Sequence, residues 1–165
     1  MAVGETTNGH GNSPTTAAQK SVIVTGGASG IGLAMASYFA AEGHNVAILD
    51  VNSSGAQVAR DLAAAYPRSS VAFHQCDVSS WDDQAAAFKT VYERHGGRLD
   101  VVMANAGVSE QGVTTVVNLL EDEPSEPRLK SVQINLFGVV YCERAPYPLP
   151  PREALEERTS CHNSM

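Results

Sequence analysis

Between Ser21 and Leu33 the chain reads Ser-Val-Ile-Val-Thr-Gly-Gly-Ala-Ser-Gly-Ile-Gly-Leu. An apolar, β-branched run ends in a glycine-rich turn, and the turn opens directly into a helical pattern. Few folds accommodate that order. Gly26, Gly30 and Gly32 are spaced G-x-x-x-G-x-G. Glycines there let phosphate oxygens approach the backbone, and the helix that follows offers free N–H groups and a positive dipole end. Strand, turn and helix in that order are the context in which such a turn holds the pyrophosphate of a nucleotide.

The rest of the chain repeats the alternation of short apolar runs and helical stretches that builds a parallel sheet. Val22–Thr25 is expected to be the first strand. Ile31, Met35, Tyr38 and Phe39 lie at helical spacing, and Gly43 ends that helix. A second strand is expected over Asn45–Leu49, ending at Asp50. A helix carrying Val58, Leu62 and Ala65 on its inner face follows, with Pro67 beyond it. Val71–Gln75 reads as the third strand, ending at Asp77. Ser80 and Asp83 form an S-x-x-D start for a helix that buries Phe88, Val91 and Tyr92. A fourth strand is expected over Leu99–Ala104, then loop and turn over 107–126. An amphipathic helix over 128–142 carries Leu129, Val132, Leu136, Val139 and Val140, with Pro127 in its first turn. The fold class expected is α/β, a Rossmann-type doubly wound parallel sheet that is incomplete at about four strands.

Composition narrows the partners. The 165 residues carry a formal net charge of −7 and no basic cluster, which excludes nucleic acid and anionic membrane surfaces as expected partners. Residues 1–20 are rich in Gly, Thr, Asn and Ser and read as a disordered leader rather than a targeting signal. The three cysteines, Cys76, Cys142 and Cys161, lack paired spacing and suit a reducing compartment such as the cytoplasm. The histidines are scattered, and no metal site is expected. From Glu143 the character changes: Pro146, Pro148, Pro150 and Pro151 break any helix or central strand, so 143–165 reads as a Pro-rich, disordered tail. The domain limits expected are therefore 1–20, 21–142 and 143–165.

Asp50 stands at the end of the second strand, 18 positions beyond Gly32. A carboxylate there accepts the hydroxyls of an adenosine ribose and repels a 2′-phosphate. Val51 and Asn52 offer no cation to offset that repulsion, so NAD is the expected cofactor in preference to NADP.

Taken together, Thr25-Gly-Gly-Ala-Ser-Gly-Ile-Gly32, Asp77-Val78, Asn105-Ala-Gly107 and Asn135 within Ile134-Asn-Leu-Phe-Gly138 resemble the classical short-chain dehydrogenase/reductase family over roughly residues 20–142. Within it the chain looks most like the NAD-dependent 15-hydroxyprostaglandin dehydrogenase type. The resemblance implies an oxidoreductase that interconverts small-molecule alcohols and ketones with NAD(H). Gly26, Ser29, Gly30, Ile31 and Gly32 would line the pyrophosphate. Asp50 would hold the adenosine ribose, and Asp77 and Val78 would meet the adenine. Asn105, Ala106 and Gly107 would lie beside the cofactor, and Asn135 would anchor a water in a proton relay, as the one relay member present.

The same resemblance calls for a serine and a Tyr-x-x-x-Lys pair, and here the chain departs from it. Its lysines are Lys20, Lys89 and Lys130, and four residues before them stand Thr16, Ala85 and Glu126. A positioned acid or base is worth about 10²–10⁴ in rate. The expectation is a truncated member of the family with negligible turnover by itself. The alternative is a non-catalytic NAD-binding or interaction module. That module would pair with a full-length relative through the exposed fourth strand and the segment Tyr147-Pro-Leu-Pro-Pro151.

Overall fold

A computed structural model describes residues 18–109 and 129–145. The expected leader (almost entirely), the loop after Ser109, Pro127, Cys161 and the Pro-rich tail beyond Ala145 lie outside the described residues. Four parallel strands form one sheet in the order β3-β2-β1-β4, with β1 Ser21–Thr25, β2 Asn45–Asp50, β3 Val71–Gln75 and β4 Val101–Met103. Helices α1 Gly30–Ala41, α2 Gly55–Ala65 and α3 Trp81–Arg94 connect them. A last helical segment follows, made of α4 Lys130–Val132, a π-helical stretch Gln133–Phe137 and α5 Gly138–Arg144.

Strand β1 is buried along its whole length because it is central and covered on both faces. Val22, Val24, Val46 and Ile48 point to one face and meet Ala36, Ala40 and Ala59 of α1 and α2. Ile23, Ala47 and Leu49 point to the other and meet Ala87, Phe88 and Val91 of α3, with Cys142 and Ala145 closing that core. The period-two alternation of β1 and β2 thus feeds two separate cores, as a doubly wound sheet requires.

Several local expectations are corrected. In α1 the buried row is Gly32, Ala36 and Ala40, while Ile31 and Tyr38 are 71% and 62% exposed. Small residues take the inner face because the glycine turn brings this helix close to the sheet. Met35 and Phe39 flank that row and pack partly against the core. Ala65 of α2 is exposed, and Tyr92 of α3 is only half-buried. Strand β4 is shorter than 99–104, because downstream of Met103 the N–H groups of Asn105 and Ala106 turn to the Thr25 hydroxyl instead of continuing the ladder.

The last helix differs most. It runs through Arg144 rather than stopping at 142, and Leu129, Val132, Leu136 and Val140 are exposed; Val139 alone of the expected stripe is half-buried. Its inner face is instead Gly138, Cys142 and Ala145. The π stretch adds residues to the turn and changes the phase of the side chains. A Cβ on Gly138 would stand 3.0 Å from Val78, so only small residues allow this approach.

The start of α3 matches its S-x-x-D signature. The Ser80 hydroxyl accepts from the Asp83 N–H at 3.2 Å and donates to the Asp83 carboxylate at 3.1 Å.

Candidate cofactor site

The glycine turn sits at the carboxyl ends of β1 and β2, where parallel α/β sheets bind their ligands. Gly26 has φ +65° and donates its N–H to the Leu49 carbonyl at 2.8 Å, which curls the turn over the end of β2. Gly30, at φ +54°, opens α1 and has nothing within 4 Å of where a Cβ would stand. Gly32 lies behind the turn, and a Cβ there would fall 2.1 Å from the Gly26 carbonyl oxygen. The Ser29 side chain makes no capping hydrogen bond, so no side-chain cap covers the first turn of α1 and its N–H groups can serve an anion.

Asp50 is held from two sides. One carboxylate oxygen accepts from the Ala28 N–H at 3.0 Å and the other from the Asn52 N–H at 2.9 Å. Each oxygen retains a further lone pair for a hydroxyl donor. Asp77 follows β3, and one of its oxygens accepts from both the N–H and the hydroxyl of Ser79. Those bonds, chiefly the hydroxyl, hold its carboxyl below the usual range, with a smaller contribution from Lys130. Val78 beside it is buried.

Across the cleft, Asn105 is tied to β1. Its side-chain amide donates to the Thr25 carbonyl at 3.1 Å, while the Thr25 hydroxyl accepts from the N–H of Asn105 at 3.0 Å and of Ala106 at 3.1 Å. Thr25 is therefore the hub between the glycine turn and the 105–107 segment. A Cβ on Gly26 would stand 2.8 Å from the Ala106 Cα, which fixes how closely the two segments approach. Asn135 lies in the π stretch and uses its amide on Val108, accepting from the N–H at 2.8 Å and donating to the carbonyl at 2.9 Å.

These segments enclose a cleft of about 380 Å³ lined by Gly26, Ser29, Gly30, Ile31, Asp50, Asp77, Val78, Asn105, Ala106 and Gly107. Leu49, Val51, Cys76, Val108 and Ile134 complete the wall. The expected set therefore converges on one site apart from Gly32, which packs behind the turn, and Asn135, which supports Val108 from outside. Thr25 and the wall residues Leu49, Val51, Cys76, Val108 and Ile134 are additions. The position of Thr25 at the mouth of the glycine turn was a usable signal for it. Adjacency to an expected residue was the signal for the rest: Leu49 and Val51 beside Asp50, Cys76 beside Asp77, Val108 beside Gly107 and Ile134 beside Asn135. Burial pushes the Cys76 thiol up to about 12, with the Asp83 carboxylate, Cys142 and Asp77 adding to it, which disfavours the reactive thiolate.

The donor set fits a nicotinamide dinucleotide: a glycine turn with open space at Gly30, an uncapped helix start, and carboxylates at the ends of two adjacent strands. Among the described residues no Lys or Arg lines the cleft. Among the described residues no group of His, Cys, Asp and Glu could hold a metal ion, and no helix is long and apolar enough to cross a membrane.

Residues 20–152 match the sequence model of the short chain dehydrogenase family. A 5′-hydroxyaverantin dehydrogenase of Dothistroma septosporum is 37% identical over 132 residues, covering 74% of this chain and 42% of that protein. The NADP-dependent dehydrogenase clz5 of Cochliobolus lunatus is 34% identical over 126 residues, covering 74% of this chain and 43% of that protein. Among solved structures, the NADPH-dependent 3-quinuclidinone reductase of Rhodotorula rubra superposes with TM-score 0.64 at 30% identity, covering 76% of this chain and 45% of that one. An alcohol dehydrogenase of Thermococcus sibiricus, complexed with 5-hydroxy-NADP, gives 0.65 at 30% identity, covering 77% and 51%. The chain thus spans about two fifths of the length of these two curated relatives. The glycine turn, the strand order and the match over most of its length place this chain in the short chain dehydrogenase family.

Proposed function

We propose that these residues form the cofactor-binding part of an NAD-linked oxidoreductase acting on a small-molecule alcohol or ketone. The observation that carries the choice of NAD is Asp50, whose carboxylate is pinned at the end of β2 by Ala28 and Asn52, with no Lys or Arg among the described residues that line the cleft. A 2′-phosphate would meet that carboxylate unscreened. The named relatives include NADP-dependent enzymes, so this preference separates the chain from them. The 15-hydroxyprostaglandin dehydrogenase type within the family is the finer assignment we favour, on the same carboxylate. Buried, unpaired Cys76 and Cys142 support a reducing, cytoplasmic setting.

In this reading the α1 turn binds the pyrophosphate, Asp50 orients the adenosine ribose, and Asp77 and Val78 flank the adenine. Asn105–Gly107 flank the cofactor on the β4 side. A bound nicotinamide would accept or donate the hydride. Asn135 would hold a relay water through a loosened contact to Val108. The 165 residues hold no Tyr-x-x-x-Lys, and the role proposed for them is cofactor binding. Calorimetric titration with NADH and NADPH tests the reading. Saturable one-site binding that favours NADH is expected, and preference for NADPH would overturn the choice of NAD.

Strand β4 favours a second reading. It is hydrogen-bonded to β1 on one side and is the terminal strand of the described sheet. Pairing of that edge with a full-length relative would make the chain an interaction module. Light scattering of the mixed proteins tests this, and two separate species would sink it.

A further inference from the structure

Among the described residues Gln84 is the one fully buried side-chain amide, at 0% exposure, and it stands behind the cleft wall rather than among the residues lining it. A buried amide is retained only where its hydrogen bonds are made, and here they are. Its nitrogen donates to the Val78 carbonyl at 2.7 Å and to the Gly138 carbonyl at 2.9 Å, and its oxygen accepts the Cys142 thiol at 3.2 Å. Val78 is a wall of the cleft on the Asp77 side. Gly138 opens α5, directly after the π stretch that carries Ile134, another wall residue, and Asn135, which grips Val108, a third.

We propose that Gln84 is a positioning residue for the cofactor cleft, joining the Val78 wall to the helix that sets Ile134 and, through Asn135, Val108. Three wall residues from distant parts of the sequence thereby move as one body. Gly138 has no side chain to make this link, and its closeness to Val78 depends on having none. Trp81, three positions before Gln84, stacks edge-on against Tyr141 with ring centroids 5.6 Å apart, which seats the same helix from outside. Without the amide, the Val78 and Gly138 carbonyls would each lose a donor. The helix would be free to shift relative to β3 while the glycine turn and Asp50, held by their own bonds, stayed in place.

The inference rests on the cofactor reading above and separates from it experimentally. In this reading 5′-AMP rests on the turn, Asp50 and Asp77, which keep their own hydrogen bonds, and meets one of the three joined walls, Val78. NADH meets all three. The test is the ratio of NADH to 5′-AMP affinity in the full chain and in Gln84→Met, which keeps side-chain length but not the hydrogen bonds. The ratio should fall about tenfold, less than the roughly hundredfold that a full 1 Å misplacement can cost. Phe88→Leu, a core change on the same helix, serves as the control: a general loss of stability lowers both affinities together and leaves the ratio unchanged. Should Gln84→Met fail to fold, Cys142→Ala removes a single bond from the amide and should lower the ratio by about twofold. An unchanged ratio in the variant that folds overturns the positioning role. Failure of the unaltered chain to bind NADH at all overturns the cofactor reading, and the positioning role with it.

Discussion

Asp50 and Thr25 show how single side chains at strand ends organise this cleft. Asp50 fixes the end of β2 to the glycine turn and leaves lone pairs for a ligand. Asp50→Ala should weaken NADH by about tenfold, as expected for the loss of a charge-assisted hydrogen bond, and should narrow the gap between NADH and NADPH. Titration of both cofactors checks this, and an unaltered preference would show that Asp50 does not discriminate. Thr25 works through its hydroxyl, which accepts from two backbone N–H groups and donates to the Met103 carbonyl. Thr25→Val keeps the shape and removes those bonds in a buried place. Urea unfolding should show a loss of roughly 1–3 kcal/mol.

At the scale of elements, close approach is what the small residues provide. Gly32 lets α1 lie against its own turn, and Gly32→Ala would force a Cβ into the Gly26 carbonyl. Backbone there has little room to yield, so a loss of about 1–3 kcal/mol is expected, together with weaker NADH binding because α1 must move. A melt and a titration on the same variant check both. Helix α3 depends on its cap. Ser80→Ala should cost about 1 kcal/mol, read by chemical denaturation, and a neutral result would mean that the Asp83 carboxylate substitutes for the lost hydroxyl.

The whole molecule should be most stable over a bounded pH window. His74 is held below 6.5 by burial and then by Arg94; His95 is lowered by burial, Arg94 and His74 in that order. Both take up a proton less readily in the fold than in the unfolded chain. Stability is intact above pH 6.5 and falls as pH drops through the lowered values. On the alkaline side Cys76 is pushed up to about 12 and Cys142 to about 11, both mainly by burial. They stay protonated in the fold while the unfolded thiols ionise near 9, so stability is lost as pH rises from 9 toward those values. Melting temperature against pH should therefore be highest between about 6.5 and 9. A Cys76→Ala, Cys142→Ala double variant should flatten the alkaline limb and leave the acid limb unchanged.

Much of this was legible in the sequence because it is local. The β-branched runs of β1 and β2, the glycine turn, the Ser80–Asp83 cap and the carboxylate ending β2 each act over a few residues, so their spacing carried the four-strand sheet and most of the cleft. The last helix was not legible in that way. Its apolar stripe obeys an α-helical period, but the π stretch and the contact of Gly138 with Val78 chose a different face, leaving Leu136 and Phe137 54% and 46% exposed. Gln84 reads as an ordinary polar helix residue until its amide is seen against carbonyls at Val78 and Gly138, the second of them 54 positions away. Periodicity records which residues avoid water along one element. Which small residue lets two elements touch, and which buried amide then joins them, depends on partners distant in the chain, and only the tertiary structure decides it.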